Sequence, residues 1–199
     1  AAAEGRKEKY LLTIATGANE LYVANTELGQ LSQYLDFINI MTYDFHHGAS
    51  YQTGHHANLH LSSLDSPDGD ATDRAVELHL KAGVPAEKLN IGIPFYGRTW
   101  KGVEPVNHGL YRQAVTTGAG TAWADVLKAL SDTAFTRYFD SSAVSPFLWN
   151  ERDSVFISYE DEGSIAARMK YLREKGLGGV MFWEYTEDVD GMLLRAVTE

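Results

Sequence analysis

The chain has 199 residues, 44% apolar and 12% aromatic, with no cysteine and a formal net charge of −10. That is enough apolar material for one sizeable core, and it excludes disulfides and thiolate metal sites. Scattered acidic charge argues against nucleic acid or an anionic membrane as partner, and no apolar run has the length of a membrane span.

Residues 1–9 carry neither an initiator Met nor a leader pattern; they read as the tail of a helix in a processed or truncated piece. Tyr10-Leu11-Leu12-Thr13-Ile14-Ala15 then predicts a buried strand, stopped by Thr16-Gly17. Residues 26–35 follow as a helix, with Thr26 as N-cap and Leu28, Leu31 and Leu35 at helical spacing. Residues 36–45 form a β-branched and aromatic run ending in Tyr43-Asp44-Phe45. Such a run predicts a strand buried on both faces, as in parallel sheets covered by helices. A loop rich in Gly, His, Ser and Asp occupies 48–68. Residues 70–82 predict a helix capped by Asp70 or Thr72, stopped by Gly83 with Pro85 behind it. Residues 89–95 predict a third strand, running out into Tyr96-Gly97-Arg98-Thr99-Trp100. The βαβαβ order implies parallel strands with right-handed crossovers.

Residues 101–159 break this rhythm. With a helix at 122–130, a strand at 154–159 and aromatics spread throughout, they predict a small α+β module on the rim. The rhythm resumes with a helix at 161–175, stopped by Gly176, and a fourth buried strand at 178–183 ending in Trp183-Glu184. A last helix runs through Leu193 and Val197. Three strand ends thus place Tyr43-Asp44, Tyr96/Arg98/Trp100 and Trp183-Glu184 on one rim, where parallel α/β sheets keep their chemistry. Aromatic faces with a few fixed carboxylates suit a ring with C–H faces and hydroxyl edges, a sugar. The plain alternative is that Tyr96 and Trp183 cap the core.

Met41-Thr42-Tyr43-Asp44-Phe45, Gly92-Ile93-Pro94-Phe95-Tyr96-Gly97-Arg98, Phe156-Ile157-Ser158-Tyr159 and Gly178-Gly179-Val180-Met181-Phe182-Trp183 resemble, in order, motifs from the C-terminal half of a family 18 glycoside hydrolase, a chitinase. The resemblance covers essentially the whole chain. It implies an α/β fold of TIM-barrel-type βα units, about half a (β/α)8 barrel (strands five to eight) plus a small α+β insertion. Residues 1–100 would carry strands five to seven, 101–159 the insertion module, and 160–199 the last helices and strand eight. The implied reaction is substrate-assisted retaining hydrolysis of β-1,4-linked N-acetylglucosamine polymers, with no cofactor and no metal, in a secreted enzyme. Tyr43 would bond the N-acetyl carbonyl and Asp44 would orient the same sugar. Trp183 would form the floor, Arg98 would bind a neighbouring sugar or brace Asp44, and Met41, Phe45, Tyr96, Trp100 and Glu184 would line the site.

The family's Asp-x-x-Asp-x-Asp-x-Glu signature, whose Glu is the acid, is missing. Asp70-Ala71-Thr72-Asp73-Arg74-Ala75-Val76-Glu77 comes close, but Ala75 replaces the third Asp and the preceding residues are loop-like. Four strands cannot close a barrel, so two sheet edges are expected to stay open. A missing N-terminal half, a homodimer of half-barrels, or a truncated product that repacks would each answer this. Two other functions stay open: a non-catalytic chitooligosaccharide-binding module, and a fragment that completes another subunit. Glu77, Glu184 and Asp44 are the carboxylates to test first. His46, His47, His55, His56 and His60 crowd one loop, without the i, i+4 pair on a helix that a metal site favours. They are expected to be solvated, or to place one sugar-contacting His near Asp44.

Overall fold

The computed structural model describes residues 10–199. The helical reading of residues 1–9 lies outside them. Four parallel strands form one sheet: β1 (Thr13–Thr16), β2 (Phe37–Ile40), β3 (Leu89–Pro94) and β9 (Gly179–Trp183). They stand in the order β1-β2-β3-β9 and are parallel throughout. Between them run α1 (Glu20–Ala24), α2 (Leu28–Leu31) and α3 (Thr72–Lys81), and, flanking β9, α5 (Glu162–Lys175) and α6 (Met192–Thr198). Leu28, Leu35, Ile38, Ile40, Val76, Leu89 and Ile91 bury the helix-facing side.

β3 is buried at all but Asn90, whereas β1, β2 and β9 are not buried on both faces as their apolar runs predict. β2 alternates between buried and half-buried positions, and β9 has no buried residue. The other face carries Asn39 and Asn90, joined by a 3.0 Å bond from Asn90 Nδ2 to Asn39 Oδ1. Among the described residues nothing pairs with the outer sides of β1 and β9, which are the sheet's edges. Of the helix expected at 26–35 only the single turn α2 forms, with Glu27 and not Thr26 at its N-cap; α1, capped by the Asn19 side chain, precedes that range. α3 starts after Ala71, with no side-chain cap from Asp70 or Thr72; the Thr72 hydroxyl donates instead to the Asn58 carbonyl.

A second, antiparallel sheet occupies the middle of the chain, ordered β5 (Ala119–Ala122), β4 (Tyr96–Lys101), β8 (Val155–Ser158), β7 (Ser145–Asn150) and β6 (Thr136–Asp140). α4 (Trp123–Ser131) packs on it through Trp123 and Val126. The run-out of the third strand is thus itself a strand. One residue, Phe95, carries the chain from β3 in one sheet to β4 in the other. Phe95 is fully buried, stacks on Phe182 at 4.7 Å, and donates its N–H to the Trp183 carbonyl at 2.7 Å. This pivot sets the two sheets side by side at the C-terminal ends of β2, β3 and β9.

Candidate functional site

The ends of β2 and β9 and the start of β4 meet around Asp44. Thr42 clamps the end of β2 to β3: its hydroxyl donates to the Gly92 carbonyl at 2.7 Å and accepts from the Gly92 N–H at 2.9 Å. Gly92 has to lack a side chain, because a Cβ there would lie 2.7 Å from the Tyr43 ring and 2.8 Å from the Ile40 carbonyl oxygen. The Tyr43 ring therefore lies across β3, edge-on to Tyr96 at 6.3 Å. Among the described residues its hydroxyl meets only a weak acceptor, Met181 Sδ at 3.9 Å. Burial, and then the charge of Asp44, push the phenol up to about 12, so Tyr43 stays a proton donor.

Asp44 adopts φ 62°, the left-handed region that a non-glycine residue holds only when its surroundings fix it. Those surroundings are donors. Oδ1 accepts from the Tyr96 hydroxyl at 2.8 Å and Arg98 Nε at 2.9 Å, and Oδ2 accepts from Arg98 Nη2 at 2.7 Å. The Arg98 fork thus braces Asp44, and its remaining arm reaches the Gly118 carbonyl. Burial alone would raise the Asp44 carboxyl; the facing His56, Arg98 and Tyr96 outweigh it and hold the group well below the usual carboxylate range.

Asp44 also separates two cavities. One, of about 390 Å³, is lined by Asp44, Tyr96, Arg98, β5 residues 120–122, Trp183, Glu184 and Glu187. The other, of about 300 Å³, is lined by Gly17 to Asn19, Met41, Tyr43, Phe45, His47 and Asp70 as well as Asp44. Trp183 offers a broad open face, 57% exposed. The Trp183–Glu184 peptide is cis, and the Glu184 carboxylate accepts from the Thr186 hydroxyl.

The structure brings Met41, Tyr43, Asp44, Phe45, Tyr96, Arg98, Trp183 and Glu184 to one rim, as their strand ends predict. Trp100 is the exception. It shares a strand face with Tyr96 and Arg98, but farther along β4 the segment around Ser50 and Gly118 roofs that face. Trp100 is fully buried, donates to the Ser50 carbonyl at 2.9 Å and packs edge-on to Phe156, so no ligand reaches it. Glu77 is not a site carboxylate either: it lies on α3, paired with Lys175 at 2.8 Å. A second near match to the acid signature, Asp65-Ser66-Pro67-Asp68-Gly69-Asp70-Ala71-Thr72, has Thr72 in place of the Glu, buried at the start of α3.

The loop histidines are not solvated as a group. His55 and His56 are fully buried. Four histidines each face a different aspartate: His46 faces Asp65, His55 Asp140, His56 Asp44 and His60 Asp73. Among the described residues no three ligand-type side chains converge on a point. Glu187 is a cleft residue that sequence reasoning missed; its carboxylate accepts from the Trp123 N–H at 3.1 Å and ties the turn after β9 to α4. Nothing local distinguishes it from the other acids of that turn.

Comparison with known proteins bears on the family and the fold. The chain is 40% identical over 196 residues to Chitinase A1 of Niallia circulans, covering 91% of this chain and 28% of that protein. A glycoside hydrolase family 18 N-acetylglucosaminidase of Paenibacillus barengoltzii superposes with a TM-score of 0.90 at 40% identity, over 96% of this chain and 56% of that one. A family 18 chitinase of Cycas revoluta, in complex with (GlcNAc)3, superposes with a TM-score of 0.83 at 29% identity, again over 96% of this chain and 56% of that one. The chain therefore spans little more than half of these relatives, or less. The family model described as Glycosyl hydrolases family 18 matches residues 1–188, and the chain belongs to that family.

Proposed function

We propose that this chain forms the sugar-holding part of a chitinase-type catalytic site, acting on β-1,4-linked N-acetylglucosamine polymers. The observation that carries the reading is the arrangement around Asp44: a carboxylate caged by Tyr96 and Arg98, a phenol held by no more than a weak sulfur acceptor on one side of it and an open indole on the other. A pyranose ring laid on Trp183 presents its N-acetyl arm towards Tyr43 and Asp44. Asp44, held ionised, accepts from the substrate amide N–H. Tyr43, held protonated, donates to the acetamido oxygen as that oxygen closes on the anomeric carbon. Such a bond strengthens as charge develops, which is where catalysis gains. The (GlcNAc)3 bound by the Cycas revoluta relative supports this choice of ligand.

The general acid that protonates the glycosidic oxygen comes from outside these 199 residues, since neither near match to the signature carries its full set. The insoluble polymer places the reaction outside the cell. The missing signature also favours a second reading, in which the chain binds chitooligosaccharide without cleaving it. Two assays on the same sample test the readings: turnover of a fluorogenic chitobioside, and tryptophan quenching by chitotriose. Turnover by the chain alone would contradict an external acid. Quenching without turnover, with turnover restored on adding a barrel half that carries the acid signature, supports the sugar-holding part; quenching that never leads to turnover supports binding alone, and neither signal overturns both readings.

A further inference from the structure

His56 sits directly behind the Asp44 cage and takes no part in the chemistry proposed above. Its side chain is fully buried, its ring lies 5.4 Å from that of Tyr96, and Nδ1 stands 3.7 Å from Asp44 Oδ1. That distance is longer than a formed hydrogen bond and short enough for strong electrostatic coupling in a buried setting. Neither ring nitrogen has another hydrogen-bond partner among the described residues. The backbone around the ring is fixed on three sides. The His56 N–H donates to the Ser158 hydroxyl at 3.0 Å, its carbonyl accepts from the Phe45 N–H at 3.0 Å, and the next carbonyl, of Ala57, accepts from Arg168 Nη2. Arg168 is itself locked by Glu160 at 3.1 Å and by the Thr72 hydroxyl at 2.8 Å.

We infer that His56 is a positioning residue for Asp44: a neutral imidazole with its proton on Nδ1, aimed at the carboxylate and held there by Arg168 through Ala57. A lone pair on Nδ1 would face a carboxylate oxygen, so the tautomer that puts hydrogen there is favoured. A second proton is opposed by burial and by the nearby cations Arg98 and Arg168, although Asp44 favours it. Asp44 needs this support because its backbone sits in the left-handed region and its side chain must hold one pose between the two cavities. The inference rests on the proposed function only in taking Asp44 as a sugar-holding group.

The test uses the full chain with carbon-13-labelled aspartate, following the Asp44 carboxyl between pH 3 and 7. In the wild type this signal is expected to stay flat. In His56→Phe, which keeps a ring against Tyr96 and removes the nitrogens, it is expected to titrate at the acid end of the range, a rise of roughly two units or more. His56→Asn, which returns an amide donor near the Nδ1 position, is expected to restore the flat profile. A folded His56→Phe protein with a flat Asp44 signal, or no rescue by His56→Asn, would overturn the role. If the variants do not fold, nitrogen-15 spectra of the wild-type imidazole decide: a proton on Nδ1 alone supports the inference, and a proton on Nε2 refutes it. Chitotriose titration of the same samples keeps the two ideas apart. A wild type that ignores chitotriose while His56→Phe still moves Asp44 removes the proposed function and leaves the positioning role standing.

Discussion

Tyr43 reaches the cleft because residue 92 has no side chain. Gly92→Ala puts a methyl group 2.7 Å from the Tyr43 ring and 2.8 Å from a backbone oxygen, so the ring or the strand must move. The expected cost is about 1–3 kcal/mol of stability, with weakened chitotriose binding in the protein that still folds. Urea denaturation and fluorescence titration measure both; an unchanged denaturation midpoint would show that the crowding is relieved cheaply. Tyr43, Asp44 and Trp183 were legible in the sequence because each ends an apolar run with a polar or aromatic group. Arg98 and Trp100 looked equivalent, two residues apart on one strand face. Only tertiary structure separates them, because the segment that roofs Trp100 comes from residues distant in sequence. One of the five loop histidines was expected near Asp44, but nothing local singled out His56, since its partners Asp44, Tyr96 and Ser158 come from three other segments.

α5 shows how an element links sequence to site. Its start is a capping box, in which Asp161 accepts from the Ser164 N–H at 2.8 Å and Ser164 Oγ accepts from the Asp161 N–H at 2.9 Å. Its end is Gly176 at φ 64°, which terminates the helix in the left-handed conformation. Both signals are local, so the helix was readable from sequence to within a residue. Its buried face holds the Arg168–Glu160 pair, where burial pushes the Glu160 carboxyl up to about 7 against the opposing pull of Arg168 and Ser164. Removing one partner strands the other. Arg168→Met should cost about 3–5 kcal/mol, and adding Glu160→Gln should recover part of it. A double variant no more stable than the single one would mean that Arg168 matters through Ala57 and Thr72 instead of the pair. The antiparallel strands were harder to read. β5 is Ala-Gly-Thr-Ala, with Thr121 its one strand-favouring residue, and it is ordered by pairing with β4.

At the scale of the molecule, the parallel sheet ends in two unpaired edges, and Tyr10, Leu11 and Leu12 beside β1 are each more than half exposed. Open edges with apolar flanks invite pairing. We propose that the chain on its own self-associates at micromolar concentration; a stable monomer by light scattering would contradict this. Acid should also weaken the fold. Burial lowers the folded-state protonation of His55, His56 and His79 below the free-imidazole value of 6.5. Below that pH the unfolded chain binds more protons, and stability falls by up to about 1.4 kcal/mol per pH unit for each such histidine. Glu160 acts in the opposite sense, favouring the folded state as pH drops from about 7 to 4.5. Three groups outweigh one, so the thermal midpoint should be lower at pH 5 than at pH 7.5, and a higher midpoint at pH 5 would refute the balance. Fluorescence offers a direct view of the site, because of the four tryptophans only Trp183 is exposed, while Trp100, Trp123 and Trp149 are buried. Titration of the wild type with chitotriose should give a saturable quench, and Trp183→Ala should weaken binding by roughly 1–3 kcal/mol, on the scale of losing an aromatic stacking platform. Affinity should then be followed by a calorimetric readout that does not depend on the lost fluorophore. No saturable binding by the wild type, or equal affinity in a folded Trp183→Ala protein, would contradict a sugar site built on Asp44 and Trp183.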